Sequence, residues 1–280
     1  MIRPIFEEAE AISGQPLREI SVDGSAACLR NCAVLEPLLV AFSLSYIALL
    51  RLKGIRPHCV AGYSAGETAA LYCSEVISRE NALHIAAVRG RILHEAARQM
   101  PGKMVAIFGI SEEIVQHMVL DAARDGSIEV AGYNAHDHLT IVGEESLVLR
   151  VEHQAQAHGA SVFPLDVEGA WHSMRAKQAS EEIKIYLDQI EFCPPSVAVY
   201  ASATGNLEYY PERLRKGLAE QIYLPVLWQA AISNMVLQHG VHHFIEVGGG
   251  RTLKAITNRI AGSCNNSKFY FLNPYQETGA

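Results

Sequence analysis

The sequence predicts an α/β fold in which a parallel sheet covered by helices carries an inserted ferredoxin-like (βαββαβ) subdomain. Three observations predict it. Outside the middle of the chain, β-type runs ("HCVAGYS", "VAVYAS", "VHHFIEV", "KFYFL") alternate with helical patterns, the order that builds a parallel sheet flanked by helices. The dipeptide Pro101-Gly102 interrupts that order. The stretch after it reads strand, helix, strand, strand, helix, strand, which is the split βαβ unit. The implied division is residues 1–102 with 169–280 as the core and 103–168 as the small subdomain.

The elements follow in order. Helical patterns cover Ile5 to Ile12 and Glu36 to Lys53, where Gly54 stops the second. "HCVAGYS" is a brief strand ending in a glycine turn, and a helix from Gly66 to Cys73 follows at once. The next helix has Ser78 as N-cap and Glu80 in its first turn, and runs to about Gln99. In the insert, "MVAIFGI", "IEVAGYN", "HLTIVG" and "SVFPLDV" are strands, with helices over "SEEIVQHMVLDAARDG" and "EESLVLRVEHQAQAHGA". A helix from Arg175 to Ile190, the strand "VAVYAS", helices from Pro211 and Pro225, a strand into a glycine turn, a helix from Arg251 and a last strand complete the chain.

Composition narrows the function. The chain has 280 residues, is 49% hydrophobic and 19% charged, and carries a formal net charge of -7. That balance, without a basic block, excludes a general nucleic-acid binder and leaves room for a local basic patch. Six cysteines lie scattered with no CxxC pair, which reads as reduced thiols in a cytoplasmic protein. His242-His243 and His136-x-His138 lack metal-ligand company, so no metal is expected. The start, "MIRPIFEEAEA", has no apolar leader, and the apolar run Leu35 to Leu52 contains Glu36, Pro37, Ser43 and Ser45. A buried helix is expected there, not a membrane span.

Gly62-Tyr63-Ser64-Ala65-Gly66 fits GxSxG at a strand-to-helix turn. A sharp turn there strains the serine, and side chains at either glycine are expected to clash. The serine oxygen is then exposed, and the helix behind it directs its N-terminal amides, Ala65's first, at a developing oxyanion. The bland alternative is a tight turn without chemistry. Glu67 reads as a dipole-compensating or packing carboxylate rather than a base. His172, in "VEGAWHSM", is the candidate base, although a histidine beside a tryptophan is also a common structural residue. No aspartate stands out as a third member; a backbone carbonyl suffices to orient the ring.

Six segments together resemble the malonyl-CoA:acyl-carrier-protein transacylase family, which includes polyketide-synthase acyltransferases. They are "GYSAGETAAL", "AAVRGRIL", "GKMVAIFGI", "GAWHSM", "QIYLPVLW" and "FIEVGGGRTL", in family order over nearly the whole chain. The resemblance implies a hydrolase-like α/β core with a ferredoxin-like insert. It implies Ser64 as the nucleophile that takes the acyl group from CoA, His172 as its base and the Gln221 carbonyl as the orienter of that base. Arg89 is implied as the fork that grips malonyl's free carboxylate, a task suited to a planar guanidinium; its bland reading is a solvated helix residue, as for Arg91 and Arg98. CoA enters as substrate, no cofactor is implied, and the partners are malonyl-CoA or a similar acyl-CoA and an acyl carrier protein.

The chain departs from the family pattern in places. It holds no GQG motif and begins at what resembles the helix after the family's N-terminal GQGSQ strand, which supplies a second oxyanion amide. Loss of one such donor costs about 2.7–4 kcal/mol of transition-state stabilisation. A start further upstream, a substitute segment and a weakened, binding-type acyltransferase all remain open on this reading. Tyr63 stands where histidine is usual, His138 where glutamine is, and Leu224 where asparagine is common. Tyr63, His138 and Trp171 are expected at the acyl pocket, and "GAWH" with Ala65 resembles the malonyl-type pattern, Trp171 crowding an α-branch. A serine thioesterase or esterase is the alternative enzyme. Because carrier proteins are acidic, Arg213, Arg215, Lys216, Arg251 and Lys254 are expected to border the groove.

Overall fold

The computed structural model describes residues 2–248, 252–264 and 270–271. It opens with α1 (Ile2–Ser13), α2 (Leu17–Asp23), α3 (Ala26–Arg30) and α4 (Cys32–Leu52). The short α2 and α3 carry too few turns to show a helical period. α4 starts four residues before the expected Glu36: Asn31 caps it by accepting a hydrogen bond from the Ala33 amide at 2.8 Å, and the helix runs on through Pro37 with its apolar face buried in the core. Next come β1 (Cys59–Ala61), α5 (Gly66–Cys73) and α6 (Arg79–Ala97). The Ser78 hydroxyl caps α6 by accepting from the Asn81 amide at 3.0 Å.

The small unit consists of β2 (Lys103–Phe108), α7 (Glu112–Ala122), β3 (Ile128–Ala135), β4 (His138–Gly143), α8 (Glu145–Ala157) and β5 (Ser161–Leu165). Its strands lie in the order β3-β4-β2-β5, every neighbouring pair antiparallel, which is the ferredoxin-like arrangement. Alternation along the strands serves two interiors. Val105, Ile107, Leu139 and Ile141 join residues of α7 and α8 in one cluster, whereas Met104, Ala131 and Val142 pack with Ala170 on the other face.

After a 3₁₀ turn at Met174–Ala176 the chain forms α9 (Lys177–Leu187), β6 (Ala198–Tyr200), β7 (Leu207–Glu208), α10 (Pro211–Glu220), α11 (Trp228–His239), β8 (His243–Phe244), α12 (Thr252–Ser263) and β9 (Tyr270–Phe271). β1 pairs in parallel with β6, as do β8 and β9, and β7 adds an antiparallel edge to β6 that its two residues do not announce in sequence. α11 begins at Trp228 rather than Pro225 because Val226 is held extended: it bridges to Gly132 of β3, with Tyr133 N–H to Val226 O at 2.8 Å and Val226 N–H to Ala131 O at 2.9 Å.

α4 has the length and apolarity to cross a membrane, yet it packs on α1, α5 and α6 and buries Leu38, Val40, Ala41, Leu44 and Ile47 in the main core. That burial is the ordinary hydrophobic reason for so apolar a helix.

Candidate active site

The turn between β1 and α5 is shaped by backbone contact. A Cβ at Gly62 would sit 2.3 Å from the Glu67 backbone, so only glycine fits. At Gly66 a Cβ would meet nothing within 4 Å, so the clash expected there is absent and the steric demand of the turn falls on Gly62. Ser64 has φ 51°, a conformation L-residues rarely hold, and the Gly66 and Glu67 amides close the turn onto the Tyr63 and Ser64 carbonyls at 2.9 and 3.0 Å. Ala65 stands at the N-terminus of α5, where backbone amides lack helical acceptors.

His172 approaches from the segment after β5, itself at φ 60°. Its Nε2 lies 2.9 Å from Ser64 Oγ. Its Nδ1 faces two backbone carbonyls, Gln221 O at 2.7 Å and Leu224 O at 3.1 Å, and its amide donates to Ile222 O at 2.6 Å. Carbonyls only accept, so Nδ1 carries the proton and Nε2 is free to take the serine's. Burial drives the His172 pKa down to about 4, with Arg89's charge pushing the same way against the two carbonyls. The imidazole is therefore neutral at neutral pH. The segment that orients it is the one Val226 fastens to β3.

Arg89 is buried on α6, 1% exposed, whereas Arg91 on the same helix and Arg98 just past its end are exposed. Its one ion-pair neighbour among the described residues is Glu36 of α4, at 3.6 Å from Nη2, and Nε, Nη1 and Nη2 all lack hydrogen-bond partners there. Glu67 sits in the first turn of α5 but is wholly buried, accepting from the Ser202 hydroxyl. Burial raises its pKa to about 7 against that hydrogen bond and Arg89's attraction.

Tyr63 donates its hydroxyl to Asn134 Oδ1 at 2.8 Å and meets the Trp228 ring edge-on. The Asn134 amide nitrogen donates to Thr140 Oγ1 at 3.0 Å and to His138 Nε2 at 3.2 Å, while the His138 ring stacks on Phe108. Burial, helped by Arg259, lowers the His138 pKa to about 4, and the Asn134 amide, which can only donate, makes Nε2 of the neutral ring the acceptor. Trp171 is buried in the main core, with its ring over Gly169. Glu36, Asn134, Thr140 and Ser202 carry no motif; the only signal was polarity inside apolar periodicity.

The basic residues behave less uniformly than expected. Arg215 is half-buried, lies over the Phe192 ring and donates to Ile190 O at 3.1 Å. Arg213 reaches Glu208 and the Tyr210 ring, Lys216 reaches Glu220, and Lys254 lies in α12; Arg251 falls outside the described residues.

Strand, turn, helix and the Ser64–His172 contact together define a serine–histidine pair on an α/β scaffold. The family model described as acyl transferase domain matches residues 7–274, and the chain belongs to that family. It is 29% identical over 269 residues to the malonyl CoA-acyl carrier protein transacylase of Escherichia coli (strain K12), covering 95% of this chain and 87% of that protein. It is 28% identical to the polyketide biosynthesis malonyl CoA-acyl carrier protein transacylase of Bacillus subtilis (strain 168), over 92% of this chain and 88% of the relative. Among solved structures, an acyl carrier protein S-malonyltransferase from Vibrio cholerae matches with TM-score 0.88 and 28% identity, covering 97% of this chain and 88% of the other. A malonyl-transacylase solved in complex with its type II polyketide-synthase acyl-carrier protein matches with TM-score 0.88 and 28% identity, covering 97% and 87%.

Proposed function

We propose that the protein moves a malonyl group from CoA to the phosphopantetheine thiol of an acyl carrier protein through an ester on Ser64, in fatty-acid or polyketide synthesis. The observation that carries this reading is the Ser64–His172 contact at 2.9 Å beside a buried arginine whose donors have no hydrogen-bond partner among the described residues. Ser64 Oγ attacks the thioester carbonyl carbon as its proton passes to His172 Nε2. The oxyanion forms at the N-terminus of α5, where the Ala65 amide is a donor. Collapse breaks the C–S bond, and His172 returns the proton to the departing CoA sulfur. The carrier's thiol then gives its proton to His172, attacks the ester and restores Ser64. No cofactor takes part.

Arg89 is the proposed grip for the malonyl carboxylate; its buried, unsatisfied fork suits a planar anion. Tyr63, Trp171 and His138 are assigned to the walls of the acyl pocket. A cytoplasmic location fits six scattered cysteines without a CxxC pair.

Incubation with labelled malonyl-CoA tests the assignment. Label that stays on Ser64 and moves to an added holo carrier protein is the expected result. Rapid release of free malonate would identify a thioesterase or esterase instead, and absence of any acyl-enzyme a binding subunit.

A further inference from the structure

The Arg89 guanidinium already has a buried carboxylate beside it. Glu36 Oε1 stands 3.6 Å from Nη2, with side-chain exposures of 9% and 1%. The distance gives charge compensation without a hydrogen bond, and Glu36 Oε2 has no hydrogen-bond partner among the described residues either. The pair is brought together by a close helix crossing: at Gly90, next to Arg89, a Cβ would lie 2.5 Å from Cys32 O and 3.1 Å from Glu36 Cβ. The arginine is thus balanced in charge and, among the described residues, unsatisfied in donors.

We propose that Glu36 is a specificity-determining residue that shares Arg89 with the carboxylate of the incoming acyl group and takes up one proton from solvent as that group binds. The inference rests on the malonyl-transfer reading. Two carboxylates on one guanidinium in a closed site leave a buried net negative charge, and protonating Glu36 removes it. As a neutral acid Glu36 keeps its place against α6, and Arg89's free donors serve the substrate. The proton returns to solvent when the acyl group leaves. Burial already raises the Glu36 pKa, opposed by Arg89.

The other charged groups on the elements around Glu36 point elsewhere or have partners. α6 contributes Arg89 and His94, the latter bound to Glu168 at 2.6 Å, and Glu168 also accepts from the Cys32 amide. On the rest of α6, Arg91 pairs with Glu95, Glu80 is exposed and His84 half-buried, while Arg51 of α4 reaches Tyr72 and Cys73. α5 contributes Glu67, which also feels Arg89. Cys32 on α4 itself is held as a thiol by burial, its pKa well above the usual range. The carboxylates Glu7, Glu8 and Glu10 of α1 are paired with Arg3, Arg18 and Arg79, the acids Glu19 and Asp23 of α2 are exposed, and Arg30 of α3 pairs with Asp166.

The experiment compares the rate of Ser64 acylation by malonyl-CoA with that by acetyl-CoA from about pH 6 to about pH 9. His172 serves both donors, so its titration cancels in the ratio. The malonyl-to-acetyl ratio is expected to fall with rising pH, approaching tenfold per unit once Glu36 is ionised before substrate arrives, by the usual one-proton linkage. Glu36→Gln is expected to flatten the ratio and to raise malonyl loading several-fold at the alkaline end. Glu67→Gln is expected to leave the slope in place. A flat ratio in the unmodified protein, an unchanged slope in Glu36→Gln, or a slope removed by Glu67→Gln overturns the inference. The unmodified protein decides the matter even if Glu36→Gln does not fold. Failure of the underlying reading looks different: no acyl group on Ser64 from either donor at any pH.

Discussion

Ser64 and His172 meet at 2.9 Å while both hold backbone φ values, 51° and 60°, in the left-handed region. Such a conformation costs a non-glycine residue about 1–3 kcal/mol, and here the packed turn and the Ile222 carbonyl enforce it. Glycine accepts that region freely. Ser64→Gly is therefore expected to be no less stable than the parent in denaturant titration, while forming no acyl-enzyme. A clear loss of stability would show that the turn stores no strain.

The buried imidazole makes two predictions about pH. His172→Ala is expected to slow Ser64 acylation by about 10²–10⁴-fold, the usual worth of a placed general base. In the unmodified protein the acetyl-loading rate is expected to hold steady through the mildly acidic range and fall only as Nε2 protonates, near pH 4. The sign for stability follows from the same shift. The folded pKa lies below the unfolded value, so His172's contribution is full above about pH 6.5 and is lost as pH falls toward 4. His172→Ala flattens that limb of the stability profile; an inflection near pH 6.5 in the acylation rate would mean the ring is solvated.

How much of this was legible in sequence varies with the physics. The small unit's strand and helix order shows because alternation there serves two interiors, Val105 and Ile107 against Met104. The Ser64 turn shows because Gly62 has no room for a side chain. Glu36 stayed hidden because its meaning depends on a helix crossing far from it in sequence, and Asn134 because a polar residue on a strand reads as an exposed one. α11's start was displaced by Val226, whose extended backbone answers to β3, not to Pro225.

Asn134 ties the serine turn to the small unit through three polar partners. Tyr63→Phe leaves Asn134 Oδ1 buried without its donor, at a cost of about 1–3 kcal/mol. Asn134→Leu removes the acceptor of that bond, leaving the Tyr63 hydroxyl without it, and strands Thr140 and His138 as well. Equilibrium unfolding of the two single variants and the double variant checks this: the double is expected to cost less than the sum of the singles.

Glu67 supplies a stability dependence of opposite sign to that of His172. Its folded pKa of about 7 lies above the unfolded carboxylate value, so the folded protein binds the extra proton between about pH 4.5 and 7. This residue's contribution is full below that window and lost as pH rises through it. Glu67→Gln keeps an amide oxygen for the Ser202 hydroxyl and has no charge to bury. Its stability relative to the parent is expected to improve from about pH 4.5 to about pH 7 and to level off above that; a constant difference would place Glu67 in a solvated site.

At Gly90 the backbones of α4 and α6 come close together, and the Glu36–Arg89 pair sits beside that approach. An added Cβ 2.5 Å from Cys32 O has backbone as its obstacle, so the helices themselves must part. Overpacking of this kind typically costs about 1–3 kcal/mol. Gly90→Ala is therefore expected to lose stability despite alanine's better helix propensity, which alone favours the change by about 0.8–1.0 kcal/mol. Parting the helices also lengthens the 3.6 Å contact between Glu36 and Arg89. With its partner withdrawn, the guanidinium meets the acyl carboxylate with less competition, and the malonyl-to-acetyl ratio at alkaline pH is expected to rise while total acylation falls. Thermal melting together with the two loading rates reads both effects, and a variant as stable as the parent with an unchanged ratio would show that the crossing does not govern the pair.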